Sequence, residues 1–400
     1  MNMMFGRWPF GRFIYNGRAG MISGAVINYP LQESGFAAKI YDQAGQKLAE
    51  YGDTIQNNIL TEIEFELDEN GCAALTLVFS KKPAIDILYN YRVDIHLFGD
   101  PDPWYSGYIT RIPLPGTTEQ QFTYEGYGFY KQLDNTLVDA TYQNTEISAI
   151  VKTIMTSYVV PDTDIVYKSS KIVAVGYTVN GIAFEDATAK EALEQLAEYA
   201  GNYVVGVDER RELFFKPVST AIAEDSRFWV GWDAHSFKPE ETLDDVKNYL
   251  IVKGSVLQVD GTYVLYSNYD ADSITDYGLR KAVLTLPSAL TTADAQRWGD
   301  NQLDKLKTPP QAAEVENIKV KQRLIKAYGK ARVTSWDGKH VYDLPITRVI
   351  YRVSAEDGIS CGLSLGPAST QSLDEFIAKL VRDIKNAEAV QSLINKNLSS

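Results

Sequence analysis

Carboxylates are the residues of this chain most able to do chemistry, because they occur in close groups. Asp244 and Asp245 are adjacent, and Glu62, Glu64 and Glu66 alternate along one segment. Glycoside hydrolysis needs two carboxylates that face one sugar, with one of them desolvated. Acids that alternate along a strand, or that lie in a polar loop, indicate a solvated face instead. We therefore assign no catalytic role to these groups.

Histidine, serine and glycine patterns give no catalytic or cofactor site either. The histidines His96, His235 and His340 have no His or Cys neighbour at the spacing of zinc ligands, and no triad-like arrangement is visible. Gly126-Tyr-Gly128 is too short for a dinucleotide loop, and Walker, Gly-x-Ser-x-Gly and His-Glu-x-x-His motifs are missing. The sequence predicts a protein that is not an enzyme and that has no metal and no cofactor.

Charge and cysteine content narrow the class of protein further. The net charge of −13 argues against a nucleic-acid-binding surface, because neutralising phosphates needs Lys and Arg. An acidic chain fits a wall past which DNA slides without sticking, and it also fits simple solubility. Cys72 and Cys361 lie in alternating segments and are predicted to be buried free thiols. No segment approaches the ~18–20 apolar residues of a membrane span.

A duplication indicates which elements organise the chain. Two distant segments contain an Ile-Thr-Arg-aliphatic strand, a polar turn and a returning alternating strand that ends on glycine. Thr110 and Gly128 are 18 positions apart in the first copy, and Thr347 and Gly366 are 19 apart in the second. We interpret the pair as a repeated β-ribbon. The repeat predicts two tube-like β-barrels in one chain.

The segments between the copies predict further elements. Strict alternation in 60–67 and a turn at Asp68–Gly71 predict a hairpin that continues to Phe79. Residues 140–235 change to helical periodicity, with a cap at Asn144 or Thr145 for one helix and a Thr188/Glu191 capping box for the next. A β-hairpin follows near 203–216, and a helix is predicted near 292–307 within the second β region.

These patterns predict a mainly β fold with an α+β insert. The predicted division is an N-terminal arm at 1–20, a first tube-like β-barrel at 21–139, an inserted α+β domain at 140–235, a second tube-like β-barrel at 236–368 and a C-terminal helix at 369–400.

Both ends of the chain allow two interpretations. The arm carries Arg7, Arg12 and Arg18 and no acid before residue 20, so it is a docking strap for a neighbouring subunit or a frayed terminus. The C-terminal segment has a short heptad pattern, which predicts a helical bundle at a symmetry axis or a helix that lies on its own barrel. The heptad positions are Leu373, Ile377, Leu380, Ile384, Ala387, Gln391 and Ile394.

In these segments the chain resembles the baseplate hub, or tail-tip hub, of tailed bacteriophages. The same family occurs in the base of the type VI secretion spike and in contractile injection systems. Trp104-Tyr-Ser-Gly-Tyr-Ile is similar to the family's W-x-x-G-x-I strand, and Asn248-Tyr-Leu-Ile-Val-Lys-Gly254 to its N-x-x-x-V-x-G strand. The remaining similar segments are Thr123–Gly128, Ala189–Pro217, Asp272–Arg280 and Arg348–Gly366.

The resemblance implies a homotrimer in which each subunit contributes two barrels. Three copies would then present six similar barrels, so that a three-fold tip docks on a six-fold tail tube. Implied partners are a distal tail or tail-tube protein ring, the tape measure protein and tip, spike or fibre proteins, with DNA only in transit and no membrane span. The implied location is the virion tail tip or baseplate, after assembly in the host cytoplasm. Deleting 370–400 should leave the ring intact and weaken tip or tape-measure binding.

Two alternatives remain open from the sequence. One is the hub of a phage-derived contractile injection system, which shares the same architecture. The other is a carbohydrate-binding or glycan-cleaving β protein, in which Trp104 and Tyr105 stack on sugars. A glycan protein predicts a monomer with exposed Trp in a concave site, whereas a hub predicts a trimer with a central bore.

Overall fold

The computed structural model describes residues 35–366 apart from 54, 56–57, 115, 117–120, 258–262, 287–291, 321–323 and 355–357. The predicted N-terminal arm and C-terminal helix lie outside these residues. The strands are β1 Phe36–Tyr41, β2 Lys47–Gly52, β3 Leu60–Asp68, β4 Gly71–Phe79, β5 Arg92–Leu97, β6 Tyr105–Arg111, β7 Phe122–Gly128, β8 Leu137–Glu146, β9 Thr178–Thr188, β10 Tyr203–Val207, β11 Leu213–Pro217, β12 Ile222–Trp229, β13 Ser236–Glu241, β14 Tyr249–Leu257, β15 Tyr263–Tyr269, β16 Lys281–Leu286, β17 Gln311–Lys319, β18 Lys330–Thr334, β19 Val341–Ser354 and β20 Gly358–Leu365. The fold is mainly β, as predicted.

Five α-helices accompany these strands in the described part of the chain. They are α1 Ile147–Ile154, α2 Val160–Asp162, α3 Ala189–Ala200, α4 Ala271–Tyr277 and α5 Thr292–Leu306. The capping box of Thr188 and Glu191 begins α3 as predicted. The cap of α1 was predicted at Asn144 or Thr145, which is wrong: the Glu146 side chain accepts the Ala149 N–H there.

A 15-stranded sheet contains most of the strands, and its main path runs β13-β17-β20-β19-β3-β4-β7-β6-β5-β1-β2. The hairpin β10–β11 joins it beside β4, and β12–β18 joins it beside β19. Along the described residues this path stays open and does not close into a barrel. The sheet brings the first and the last β regions of the sequence into one hydrogen-bonded surface.

Both copies of the predicted repeat are antiparallel ribbons. The first copy is β6–β7 and the second is β19–β20. They flank the hairpin β3–β4 on opposite sides, because β7 pairs with β4 and β19 pairs with β3. The predicted hairpin across Asp68–Gly71 is therefore the central element of the sheet.

Two hydrophobic cores divide the described residues. One core is formed by the strands of the main sheet. The other joins α1, α3 and the β8–β9 pair to a separate sheet of β15-β14-β16, which α5 covers with Trp298 and Leu303. The sequence placed the segment of β14 to α5 within 236–368, yet its apolar side chains pack with those of the predicted insert. Predicted domain limits follow the order of the chain, whereas packing joins apolar faces that are distant in sequence. Residues 272–277 of the Asp272–Arg280 segment, which resembles the hub family, belong to α4.

Candidate functional site

A row of charged side chains crosses one face of the main sheet. Arg352 lies opposite Glu64, Glu64 opposite Thr76, Thr76 opposite Glu125, and Glu125 opposite Arg111. Opposed residues on neighbouring strands point to the same side of a sheet. We call this surface the charged face; its residues are Glu62, Glu64, Glu66, Thr76, Arg111, Glu125, Arg348 and Arg352.

Arginines pair with most of the acids on the charged face. Arg352 Nε lies 2.7 Å from Glu64 Oε2, and Arg348 Nε lies 2.6 Å from Glu66 Oε1. The alternating acids of β3 were predicted to form an acidic side; two of the three are instead ion-paired across the strand. Each pair is partly exposed and contributes at most about 1 kcal/mol to stability. The pairs therefore determine the charge of the surface more than the stability of the sheet.

The arginine of each Ile-Thr-Arg segment forms an ion pair with a neighbouring strand, but the strand differs between the two copies. Arg111 Nη1 lies 3.0 Å from Glu125 Oε2 on β7, within its own ribbon, whereas Arg348 pairs with Glu66 on β3, outside its ribbon. The comparison of the two repeated segments within the sequence identified Arg111 and Arg348 but missed Arg352. Arg352 follows Arg348 by four residues, so both side chains lie on the same side of the strand. Glutamates occur at every second position of β3, and this matching spacing is the pattern that identifies Arg352.

The opposite face of the same strands is an aromatic core. Phe65 stacks on Tyr351 with ring centroids 4.8 Å apart, and Trp104 meets Tyr351 edge-on at 5.6 Å. Tyr105 lies 5.5 Å from Phe65. Trp104 and Tyr105 are 1% and 0% exposed, so they cannot stack on a sugar. The glycan alternative built on these two side chains is wrong.

The Tyr351 hydroxyl fixes a loop against this core. It accepts a hydrogen bond from the Ile325 backbone N–H at 2.8 Å and donates one to the Ile325 carbonyl at 3.1 Å. Burial raises the pKa of Tyr351 well above its ordinary value, so the group stays a neutral donor and acceptor. Together with the backbone pairing of the two strands, this core holds β19 against β3.

A tight joint connects the main sheet to the hairpin β10–β11. Asn70 Nδ2 donates to the Val205 carbonyl at 2.7 Å, and the Val207 N–H donates to the Asn70 carbonyl at 2.8 Å. Gly71 has φ +108°, and a Cβ there would lie 1.9 Å from the Val207 oxygen. Only glycine fits this approach. In the same turn, burial raises the pKa of Asp68 to about 6, although the Asn70 N–H bonds its carboxylate.

A cavity of about 430 Å³ lies beside this joint. Its charged lining is largely paired: Lys171 bonds Asp208, and Lys326 Nζ lies 2.6 Å from Glu209 Oε1. Lys216 lies over the Tyr328 ring, with 3.6 Å between Nζ and the ring centroid, and burial lowers its pKa. Paired charges of this kind stabilise the joint and provide no nucleophile with a general base.

Further reactive side chains, the two cysteines and His96, are buried in the fold. Cys72 and Cys361 are buried free thiols, as predicted, and burial raises the pKa of both, that of Cys361 to about 12. His96 Nδ1 lies 3.0 Å from the Asp100 carbonyl oxygen. Across the described ranges, no group of three or more His, Cys, Asp or Glu is placed to hold a metal ion. None of the described helices is long and apolar enough to cross a membrane.

No family model matches the chain, and no curated protein matches it. Solved structures do match its fold. A tail protein from Neisseria meningitidis MC58 has a TM-score of 0.63 at 12% identity, covering 83% of this chain and 97% of its own. The 43 kDa tail protein of prophage MuSo2 from Shewanella oneidensis has a TM-score of 0.62 at 14% identity, covering 83% and 98%.

Prophage tail protein gp18 from Listeria monocytogenes EGD-e matches with a TM-score of 0.58 at 12% identity, covering 87% of this chain and 99% of its own. At such identities the likeness concerns the fold. The chain has the fold of phage tail proteins, which confirms at that level the resemblance predicted from the sequence.

Proposed function

We propose that this chain is the structural hub of a phage tail tip or baseplate and that it has no catalytic activity. One observation carries the proposal: two ribbons with the same Ile-Thr-Arg segment flank one hairpin in one sheet, β6–β7 beside β4 and β19–β20 beside β3. The fold shared with prophage tail proteins supports it. A duplicated β-ribbon suits a protein that builds a ring of repeated units, whereas an enzyme needs only one pocket.

The duplication provides a reason for three-fold assembly. We propose that in the assembled ring each ribbon is part of the wall of one tube-like barrel, with the barrels at 21–139 and 236–368 and the α+β insert at 140–235 between them, although the sheet path of the described residues is open. Three subunits then present six similar walls to a six-fold tail tube. A closed ring also covers the outer strands β2 and β13, whose free edges have no partner strand among the described residues and would otherwise favour aggregation.

In this ring the charged face lines the channel. Its arginines are held by carboxylates, so few free cations remain to bind DNA phosphates. Exposed Glu62 adds to the negative charge of the wall. Such a wall lets the tape measure protein and DNA pass without binding them, and it needs no cofactor.

The partners follow from the position of a hub. A distal tail or tail-tube protein ring docks on one side and tip, spike or fibre proteins on the other, in the tail of a virion assembled in the host cytoplasm. The arm at 1–20 contacts a neighbouring subunit, and the helix at 369–400 carries the tip contact.

Negative-stain images of the purified full chain test the proposal. Class averages should show three-fold particles with a central bore. Particles without a bore, or with another symmetry, would contradict the proposed channel. The 1–369 truncation serves as the control, and it should form the same ring while it loses tip binding.

A further inference from the structure

One face of the sheet β15-β14-β16 is open and largely apolar. Cross-strand register aligns Tyr269, Tyr249 and Lys281 in one row and Ser267, Ile251 and Val283 in the next, followed by Leu265 beside Lys253. We call these eight residues the open face. Leu265, Tyr269 and Val283 are each more than half exposed. Apolar side chains grouped in this way on one face mark an interaction surface.

The other face of this sheet already forms a complete core. Leu250, Val252 and Leu284 are buried there beneath Trp298 of α5. The open face is therefore not needed to form the hydrophobic core. Substitutions on it test contacts with other molecules and leave the packing of the domain in place.

Aromatic and cationic groups give the open face a defined chemistry. The rings of Tyr249 and Tyr269 are stacked, with centroids 6.0 Å apart and planes at 9°. Lys281 Nζ lies 5.0 Å from the centre of the Tyr249 ring. Two lysines and no carboxylate belong to this face, although the chain as a whole carries a net charge of −13. Its electrostatic complement is an acidic surface, and other copies of this chain offer one.

The area of the open face determines how much of a protein interface it can form. Neighbouring strands are about 4.8 Å apart, and residues two apart on a strand are about 6.7 Å apart. A face of three strands by three rows therefore has an area of roughly 300 Å². A standard interface covers about 800 Å² per partner. The open face can thus form the centre of an interface between subunits, with other contacts around it.

We infer that the open face contacts a second copy of this chain, whose acidic surface faces Lys281. This inference rests on the proposed ring, in which one surface of each subunit contacts a different surface of its neighbour. Contact with a cationic, apolar face relieves the repulsion between strongly acidic subunits.

The experiment compares two double variants of the full chain by light scattering over a range of concentrations. Leu265→Asp with Val283→Asp places carboxylates on the open face, where the residues are 60% and 59% exposed. Leu137→Asp with Val341→Asp makes the same change at 58% and 54% exposure on other strands. Far-UV circular dichroism checks that both variants fold.

The open-face variant should need at least tenfold more protein than the wild type for half-assembly, and the control variant should assemble as the wild type does. Lys281→Glu should weaken assembly as well, because it replaces the cation that faces the acidic neighbour. If the open-face variant assembles like its control, this inference is wrong and the ring stands. Loss of binding to another tail protein with assembly unchanged would also overturn it, in favour of that partner. A wild-type monomer would overturn both this inference and the proposed function.

Discussion

Replacing Tyr351 by Phe removes one oxygen atom from the core that holds β19 against β3. Tyr351 is fully buried, and its hydroxyl bonds both the N–H and the carbonyl of Ile325. Phe preserves the stacking on Phe65 and the edge contact with Trp104. The substitution therefore isolates the hydroxyl from the packing of the ring.

The expected loss follows from the two backbone groups that lose their partner. Ile325 is itself 4% exposed, so water does not replace the hydroxyl readily. A buried polar group left without a partner costs about 1–3 kcal/mol. Two such groups give a loss of about 2–6 kcal/mol in the free energy of unfolding.

Urea unfolding followed by near-UV circular dichroism measures this loss, and hydrogen exchange of peptides from β3 and β19 localises it. Tyr127→Phe is the matched control, because Tyr127 is 45% exposed on β7 and its change should stay within about 0.5 kcal/mol. If Tyr351→Phe costs no more than this control, the hydroxyl does not anchor the 325 loop. The account of the core between β19 and β3 would then be wrong.

Three further predictions concern the joint and the charged face. Gly71→Ala should cost clearly more than Gly45→Ala in thermal unfolding, since both have positive φ but only Gly71 approaches a backbone oxygen; equal losses would refute the joint. Asp68 has a folded pKa of about 6, above its ordinary 3.8, so the free energy of unfolding should fall by roughly 3 kcal/mol as pH rises through that window. Asp68→Asn should abolish this slope in urea titrations at several pH values, and an unchanged slope would contradict the assignment. Arg348→Gln with Arg352→Gln should cost under about 2 kcal/mol, and a larger loss would show that the ion pairs dominate.

Local patterns in the sequence predicted local structure well. Alternation along β3, the turn before Gly71 and the capping box of Thr188 and Glu191 depend on neighbours within a few residues. The two ribbons could be recognised because each contains its own pairing partner.

Contacts between distant segments could not be predicted in the same way. Period-two alternation tells which face a strand buries but not which strand lies beside it. The Arg352–Glu64 contact joins residues 288 positions apart, so the charge pairing on β3 was missed. The packing of β14–β16 with the insert and the raised pKa of Asp68 depend on burial, which arises only from tertiary structure.

The mass of the native particle tests the central claim most directly. A ring of three duplicated subunits predicts a light-scattering mass three times the 44.7 kDa of the chain, at micromolar protein and moderate salt. A particle with the mass of one chain under those conditions would contradict the hub.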